Sequence, residues 1–363
     1  LPICYYTLHL LQALLNRHTE FAWHLFASSA RIQSDAIDTL APLCARTRVV
    51  RWPTRLKTWM WTSLERPSIE TFTGSVDIAH GLFHLLPASR RAKRIVTVFD
   101  LTTLRHPETH TDAATHKRML HHASRHADAL IAISQSCKDD IVELLGVVPE
   151  RVHVVYGGVF LNEFAVPFDM ERVVHLKQRL GIPSDYMIHL GTLEPRKNVP
   201  RLLHAYAQVH AQRPDCPTLL LVGRKGWDYA PIFEAIRTLR LEPHVRHAGY
   251  VDRSDALMLL RGARACLYPS LYEGFGLPVL EAMAAGTPVL TSNVSSLPEV
   301  IGDTGILVDP LSVEQIGAGM LDLLENPTAA HECAAAARER AKAFTWEGSA
   351  DTLAGVYRKV AAL

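Results

Sequence analysis

Short apolar runs alternate with longer amphipathic stretches along most of the chain. Short buried runs predict strands, and stretches with apolar residues every three or four positions predict helices. This alternation indicates an α/β protein with parallel sheets that carry helices on both faces, for which two Rossmann-like domains are the economical solution. The predicted strands are residues 21–26, 95–99, 129–134, 152–155, 186–190, 218–222, 247–251, 265–268, 289–291 and 305–308. The predicted helices include residues 7–16, 113–127, 199–211, 254–261, 278–285 and 313–324.

The segment 270–281 carries two glycines and two glutamates at a predicted strand-to-helix junction. Gly274 and Gly276 allow a ligand to approach the main chain, and the free amides of a helix start, here opened by a proline, favour phosphate. Glu273 in the loop and Glu281 in the first helical turn are expected to face one small volume. Carboxylates there accept hydrogen bonds from sugar hydroxyls. The alternative is an acidic loop with a helix-capping glutamate.

Two further strand ends carry glycine followed by cations. Gly191 directly follows the strand 186–190 and precedes Arg196 and Lys197. Gly223 directly follows the strand 218–222, and Arg224 and Lys225 come next. Ligands bind at the carboxyl ends of parallel strands, and an arginine fork suits phosphate oxygens. The alternative for each pair of cations is a solvated basic turn.

The segment 273–281 resembles the Glu-x7-Glu motif of the retaining glycosyltransferases of family 4. That family has the GT-B fold, in which two Rossmann-like domains face each other across a cleft. The resemblance implies that Glu273 lies against the donor sugar and that Glu281 holds the ribose of a nucleotide-diphosphate sugar. The implied donor-binding residues are Gly191, Gly223, Tyr250, Val251, Gly274, Phe275, Gly276, Leu277 and Glu281.

Other segments extend the resemblance over nearly the whole chain. Residues 194–198 are similar to the family's diphosphate-binding loop, although Thr192 stands where an arginine often follows the glycine, so that Arg196 would take its place. Residues 247–251 look like the strand whose end receives the base, mainly through backbone atoms. Residues 96–101 resemble a strand end with a His-Asp pair that faces the donor sugar.

Phe99 occupies the histidine's place in that pair, and Asp100 remains as a candidate for sugar contact. The implied catalytic residues are therefore Glu273, Arg196, Lys197 and Asp100. The leaving phosphate oxygen would take the acceptor proton, which explains how turnover survives without the histidine. The resemblance also implies that no divalent metal and no other cofactor is required, because protein cations balance the diphosphate. No Asp-x-Asp cluster lies near these motifs.

The resemblance predicts an acceptor-binding domain over residues 1–165, a nucleotide-sugar domain over 166–343, and a C-terminal helix, 344–363, that packs on the first domain with Thr345 as its cap. The chain opens directly with an amphipathic stretch, where family members have a strand and a glycine-rich loop. Cys4 stands where a loop glycine is expected, so we expect a truncated or altered start.

The composition of the chain limits the kinds of partner that we expect for it. A net charge of +1 with pI near 7.9 gives no electrostatic reason to expect nucleic acid. No apolar run approaches the roughly 20 residues of a membrane span. The six cysteines are scattered, which indicates reduced thiols in a cytosolic protein. His121, His122 and His126 share a predicted helix, where a solvated face is favoured over a metal site.

The segment 51–61 combines three tryptophans with arginines and lysine. Such a patch suits a membrane surface or a lipid-linked acceptor, and the alternative is a helix whose tryptophans pack inward. We therefore expect a cytoplasmic protein with peripheral membrane contact as an option.

The resemblance implies a retaining hexosyltransferase that acts on a glycan or a lipid-linked saccharide. The first candidate donor is GDP-mannose, because the segments 100–108 and 194–198 are closest to bacterial mannosyltransferase-like members of the family. The alternatives are a sugar-nucleotide epimerase, a phosphorylase, or a non-catalytic nucleotide-sugar-binding protein of the same fold. An oxidoreductase fits less well, because no Gly-x-Gly-x-x-Gly follows a strand.

Overall fold

The computed structural model describes residues 2–28, 34–109, 112–182 and 185–362. The chain forms two compact units, the first comprising residues 1–158 and 345–363 and the second residues 159–344. The division falls at Gly158 rather than at the expected position 165. A Cβ atom on Gly158 would lie 2.4 Å from the backbone nitrogen of Trp346, so glycine lets the chain pass against the returning C-terminal segment before it leaves the first unit.

The first unit contains a two-stranded and a four-stranded sheet, both parallel. The strands are β1 (His24–Ser28), β2 (Arg46–Val50), β3 (Ile78–Gly81), β4 (Lys93–Val98), β5 (Ala129–Ala132) and β6 (Val152–Val154). Strand β1 pairs with β2, and the larger sheet has the order β3-β4-β5-β6. The sequence pattern missed β2 and β3, because β2 is charged and largely exposed and β3 ends in His-Gly, so neither forms a buried apolar run.

The helices of the first unit cover a core centred on β4 and β5. Val96, Leu120 and Leu130 are fully buried in this core. The helices are α1 (Pro2–Arg17), α2 (Ser34–Leu40), α3 (Thr54–Trp59), α4 (Glu70–Thr73), α5 (Thr102–Arg105), α6 (Ala113–His126) and α7 (Gln135–Leu145). Short 3-10 turns occur at Ala41–Leu43, Pro107–Thr109 and Pro149–Arg151, and α3 continues into a π-helical turn, Met60–Leu64. The Ser134 side chain caps α7 by accepting a hydrogen bond from the backbone N–H of Cys137.

The second unit is built on one six-stranded parallel sheet. Its strands are β7 (Tyr186–Leu190), β8 (Thr218–Val222), β9 (Val245–Gly249), β10 (Cys266–Tyr268), β11 (Val289–Ser292) and β12 (Ile306–Val308), in the order β12-β11-β10-β7-β8-β9. Each lies within two residues of the predicted bounds. The chain proceeds outward from β7 in one direction and from β10 in the other, so the strand order reverses between these two neighbours. Parallel sheets bind ligands at such a reversal, outside the carboxyl ends of the strands.

The helices of the second unit alternate with its strands. They are α8 (Leu161–Ala165), α9 (Met170–Leu180), α10 (Val199–Gln212), α11 (Ala230–Thr238), α12 (Arg253–Arg261), α13 (Leu277–Ala285), α14 (Leu297–Ile301), α15 (Val313–Glu325) and α16 (Pro327–Ala341). The core of this unit includes Leu219, Leu221 and Tyr206, all fully buried. The continuous burial of β8 is typical of a strand covered on both faces.

The last helix, α17 (Trp346–Ala361), belongs to the first unit. The Thr345 side chain caps it by accepting a hydrogen bond from the Gly348 backbone N–H at 3.1 Å. It packs along α1, where the Arg17 guanidinium binds the Asp351 carboxylate at 2.8 Å. The Tyr357 hydroxyl lies 2.6 Å from Nδ1 of His80 on β3, which ties the helix to the sheet.

The sequence predicted neither a membrane-spanning helix nor disulfide-bonded cysteines. Among the helices of the described residues, we find none with the length and apolar character that a membrane crossing requires. Cys44, Cys137, Cys216, Cys266 and Cys333 are free thiols. The side chain of Cys4 lies outside the described residues.

Candidate active site

The loops that follow β7 and β10 meet at the reversal of strand order in the second unit. Arg196 and Lys197 lie in a short 3-10 turn, Pro195–Lys197, that follows β7. The backbone N–H of Leu271, in the loop after β10, donates to the Arg196 carbonyl at 2.9 Å. Neighbouring strands thus bring together segments that are more than 70 residues apart in the sequence.

Glu273 receives both cations of this turn. Its Oε1 lies 2.6 Å from Nζ of Lys197, and its Oε2 lies 2.6 Å from Nη1 of Arg196. Arg196 also binds Oε1 of Glu194 at 2.8 Å and the carbonyl of Tyr272 at 2.8 Å. We name Arg196, Lys197 and Glu273 the ion cluster. The sequence placed these three residues in one site, and the structure brings them into direct contact.

Burial and charge act in opposite directions on the ion cluster. Burial disfavours the charged form of Glu273, but Arg196 and Lys197 outweigh it and lower the pKa of the carboxyl to about 2. Burial, followed by the neighbouring Arg196 charge, lowers the pKa of Lys197. Glu273 is 7% exposed and Lys197 is 4% exposed, so water screens this pair little. The cluster is a preorganised charge arrangement.

A buried polar layer lies beneath the ion cluster. The Lys197 ammonium donates to the Tyr268 hydroxyl, and it lies 4.8 Å from the centre of that ring. The His189 ring stacks on Tyr268 at 5.5 Å, and its Nδ1 lies 2.9 Å from the Leu267 carbonyl. Burial lowers the pKa of His189 to about 4, so the ring is neutral near pH 7. The sequence motifs do not include His189, although a histidine inside the apolar run 186–190 is a usable signal.

Glycines leave space beside the main chain at the ends of β7 and β8 and at the start of α13. A Cβ atom on Gly223 would lie 1.8 Å from the Gly191 carbonyl oxygen, and Gly223 has φ of 150°, so only glycine fits between the ends of β7 and β8. Gly276 has φ of 106° and directly precedes α13. The predicted loop of Gly274 and Gly276 is therefore present, ahead of a helix that begins at Leu277, with the proline at its second position.

Glu281 has a different environment from the one expected. It is the fifth residue of α13, so it lies just beyond the first turn. It pairs with Arg253 at 2.6 Å, not with the ion cluster, and Arg253 also binds Glu163 at 2.7 Å. Burial raises the pKa of Glu281, although Arg253 partly opposes this. The sequence analysis did not single out Arg253, which follows the end of β9 by four residues, or Glu163, which lies on the short helix α8.

The predicted base-binding segment lies at the end of β9. Tyr250 and Val251 directly follow that strand, and Tyr250 is 62% exposed. The Arg224 guanidinium lies 4.3 Å from the centre of the Tyr250 ring. Lys225 instead packs over the Phe233 ring at 4.5 Å. Arg224 therefore lines this strand end, whereas Lys225 is occupied by aromatic packing.

Asp100 and Phe99 lie in the first unit, directly after β4. One carboxylate oxygen of Asp100 accepts a hydrogen bond from the Thr102 backbone N–H at 3.0 Å, which shapes the start of α5. The Phe99 ring is buried, and its centre lies 5.1 Å from that of Tyr6. The Phe99 backbone N–H donates to Nε2 of His84 at 2.9 Å. A phenylalanine at this position thus contributes to an aromatic core.

The tryptophan-rich segment 51–61 agrees in part with each of its two interpretations, inward packing and contact with a membrane surface. Trp61 is buried and lies edge-on to Trp52, with ring centres 6.3 Å apart. Trp59, Leu56 and Leu64 are each at least 45% exposed. The inward-packing interpretation accounts for Trp52 and Trp61, whereas Leu56, Trp59 and Leu64 are exposed apolar side chains of the first unit.

Two parallel-sheet α/β units, with cations and a carboxylate at the strand reversal of the second, define the class of GT-B nucleotide-sugar transferases. Residues 5–163 match the profile described as glycosyltransferase family 4, and residues 176–340 match that of glycosyl transferases group 1. The chain belongs to glycosyltransferase family 4, and it is a glycosyltransferase rather than an epimerase or a binding protein.

Named relatives support this assignment. The chain is 32% identical over 285 residues to the O-antigen chain mannosyltransferase B of Escherichia coli, covering 77% of this chain and 74% of that protein. It is 33% identical over 227 residues to the serotype-specific mannosyltransferase WbdA of Escherichia coli, covering 62% of this chain but only 28% of WbdA. The solved structure of Anabaena Alr3699/HepE in complex with UDP and glucose matches this chain with a TM-score of 0.72 and 19% sequence identity. The match covers 96% of this chain and 95% of that chain, so the two proteins share a fold.

Proposed function

We propose that this glycosyltransferase moves a hexose from a nucleotide-diphosphate sugar to a glycan or lipid-linked saccharide with retention of anomeric configuration. The ion cluster carries the proposal. Buried Lys197 and Glu273 and half-buried Arg196 meet in the loops after the neighbouring strands β7 and β10, beside the glycine loop that opens α13. This is the combination that a diphosphate bonded to a polyhydroxylated ring requires.

In the proposed donor complex, Arg196 and Lys197 bind the diphosphate, together with the backbone amides of Gly274, Phe275, Gly276 and Leu277. The phosphate oxygens then compete with Glu273 for the two cations. Glu273 is released in its ionised form and accepts hydrogen bonds from the sugar hydroxyls. Glu281 accepts hydrogen bonds from the ribose. The base lies against the backbone of Tyr250 and Val251, and Gly191 and Gly223 leave room for the nucleotide.

The transfer step breaks the bond between the anomeric carbon and the diphosphate oxygen. The acceptor hydroxyl oxygen forms the new bond on the same face, and its proton passes to the departing phosphate oxygen. Negative charge grows on that phosphate during the step, and Arg196 and Lys197 are already oriented towards it. Electrostatic stabilisation of this kind contributes on the order of 3 kcal/mol per well-placed donor. In this mechanism Phe99 needs no proton-transfer role.

Mannose, delivered by GDP-mannose, is the first candidate for the transferred sugar. The two Escherichia coli relatives are mannosyltransferases by name, whereas the HepE structure contains UDP and glucose. Thermal stabilisation of the protein by GDP-mannose, UDP-glucose, UDP-galactose and ADP-glucose tests the donor. Specific stabilisation by GDP-mannose is expected, because a ligand that binds only the folded state raises its stability. Stabilisation by a uridine donor alone would overturn the choice of GDP-mannose while leaving the transferase proposal intact.

Product analysis tests the reaction itself. We expect radiolabelled sugar to appear in a new glycosidic bond with the donor's anomeric configuration when a mannose-terminated oligosaccharide is supplied. Glu273→Gln should abolish the product but retain nucleotide binding, because glutamine keeps the side-chain volume and removes the charge. Inverted stereochemistry, or equal turnover by the variant, would contradict the proposed mechanism.

We further propose a cytoplasmic protein that contacts the membrane peripherally through Leu56, Trp59 and Leu64. Exposed tryptophan and leucine beside basic residues favour the interface between water and lipid. Co-sedimentation with phosphatidylglycerol vesicles should fall for Trp59→Ala and not for Trp23→Ala, whose ring is packed against Phe21 and Tyr357. Equal vesicle binding by wild type and Trp59→Ala would remove the proposed contact.

A further inference from the structure

One face of helix α6 carries basic side chains that the proposed transfer reaction does not use. His121 and His122 lie three and four positions after Arg118, and Arg125 lies four and three positions after them, which places the four residues on one side of the helix. With neighbouring side chains they border a pocket of about 400 Å³ in the first unit. The pocket is lined by Thr62, Arg118, His121, His122, Arg125 and His126.

The charges in this basic pocket are unbalanced. Arg118 and Arg125 are exposed, and across the described parts of the chain neither forms an ion pair with a carboxylate. The adjacent carboxylate, Glu65, is already bound by Arg94 at 2.9 Å and by Nε2 of His122 at 3.1 Å. The pocket itself therefore presents two guanidinium groups with no neutralising acid among the residues that line it.

His122 lines the pocket and is held by a neighbouring carboxylate. It lines the pocket while being only 9% exposed, and its Nδ1 is buried with no hydrogen-bond partner among the described residues. Buried ring nitrogens are usually satisfied by protein groups, water or a bound molecule. Because Nε2 lies 3.1 Å from the Glu65 carboxylate, it carries the proton of the neutral ring, so Nδ1 is an acceptor and His122 lines the pocket without donating to an anion.

A metal ion is the competing occupant. Ligand atoms of Glu65, His122 and His126 lie within 4.8 Å of one another, and such a set suits a divalent ion. Two observations favour an anion instead. The Glu65 carboxylate already binds the Arg94 guanidinium, and Arg118 and Arg125 on the pocket wall would repel a cation.

We propose that the basic pocket binds a phosphoryl anion, with a diphosphate as the best match to its two guanidinium groups. Arg118 and Arg125 present planar donor forks that suit phosphate oxygens, and the imidazoles of His121 and His126 add N–H donors at the sides. The anion is either a soluble phosphate compound or the phosphate of a lipid head group. The site lies in the first unit, whereas all residues of the ion cluster lie in the second.

Site-resolved titration tests this proposal without interference from the donor site. Inorganic pyrophosphate is added to protein labelled with ¹³C at the histidine rings, and the signals of His121, His122 and His126 are assigned from single His→Gln variants. We expect these signals to shift together. The double variant Arg118→Gln/Arg125→Gln should weaken the apparent affinity at least about tenfold, because each charge-assisted contact adds appreciably to anion binding.

Lys117→Gln/Arg91→Gln is the matched control, because it removes the same number of charges from exposed positions of the first unit that do not line the pocket. It should retain the wild-type affinity. Competition by phosphatidic acid vesicles, and not by phosphatidylcholine vesicles, would identify a head-group ligand, and an absence of competition would identify a soluble one. Histidine signals that ignore pyrophosphate, that shift equally in the double variant, or that respond only to Zn²⁺ would overturn the proposal.

Discussion

The Lys197 ammonium and the Glu273 carboxylate form a buried ion pair, with Nζ 2.6 Å from Oε1. Removing two charges from water is costly, and such a pair is frequently no more stable than an apolar pair of similar volume. Its presence at the strand reversal therefore points to a role in binding or catalysis. Each partner keeps the other ionised until a ligand with its own charge competes.

Replacing Lys197 tests the role of the ammonium in turnover. We expect Lys197→Ala to lower kcat at least about a hundredfold, because one preorganised donor to the leaving phosphate is worth about 3 kcal/mol. Arg196 still neutralises Glu273, so circular dichroism should show an intact fold. Lys225→Ala is the matched control, since Lys225 also follows a strand end but packs over Phe233. Near-normal transfer by Lys197→Ala would remove the proposed role.

Glu281 is expected to reduce stability while it supports donor binding. Its carboxylate is buried, and its pKa is raised, so the ionised form at neutral pH is unfavourable in the folded state. Glu281→Gln should leave Tm unchanged or raise it, because Arg253 retains Glu163 as a partner. The KM for the donor should rise roughly tenfold or more, since a hydrogen bond from the ribose to a charged acceptor is lost. Reduced Tm with unchanged KM would contradict this assignment.

The sequence predicted the second unit well because its central strands, such as β8 and β10, are buried along their whole length and form short apolar runs. Arg196, Lys197 and Glu273 could be found together because each follows such a run, and carboxyl ends of parallel strands converge. Arg253 and Glu163 could not be found in this way, because their contact with Glu281 depends on how helices pack over the sheet. The exposed, charged strand Arg46–Val50 was missed for lack of an apolar pattern.

The two glutamates should make opposite contributions to the dependence of stability on pH. The pKa of Glu273 is about 2 in the folded protein and 4.5 for an unperturbed glutamate, so its ionised form stabilises the fold above pH 4.5. Linkage makes this stabilisation, on the order of 3 kcal/mol, disappear as pH falls from 4.5 towards 2. Glu281 has a raised pKa, so its burial is tolerated best below pH 4.5 and becomes unfavourable as pH rises through its folded pKa.

Unfolding free energies of wild type, Glu273→Gln and Glu281→Gln as a function of pH provide the measurement. Glu273→Gln should be less stable than wild type at pH 6, and the difference should shrink as pH falls below 4.5. For Glu281→Gln, any gain in stability should be largest at neutral pH and vanish in acid. A constant difference across this range for both variants would show that neither carboxyl has the assigned pKa direction.

Gly223 tests the close contact between the ends of β7 and β8. Gly223→Ala should destabilise the protein strongly, because the new Cβ atom would lie 1.8 Å from the Gly191 carbonyl oxygen and neither backbone can move freely. Gly181→Ala is the control, since Gly181 has φ of 65° but open space around its Cβ position. The control isolates the conformational penalty, about 1 kcal/mol. Equal Tm losses for the two variants would show that the strand ends can separate.

Chelation of divalent ions tests whether protein cations alone balance the diphosphate. Arg196 and Lys197 supply two positive charges within contact of Glu273, and a donor diphosphate that displaces this carboxylate meets them without a metal. We expect EDTA to leave initial transfer rates unchanged and added Mg²⁺ to have little effect. Lys197→Ala provides the sensitive background: if a metal ion carried the leaving-group charge, Mg²⁺ would restore its activity. Loss of wild-type transfer in EDTA, with recovery on Mg²⁺ addition, would assign the leaving-group charge to a metal ion instead of to Arg196 and Lys197.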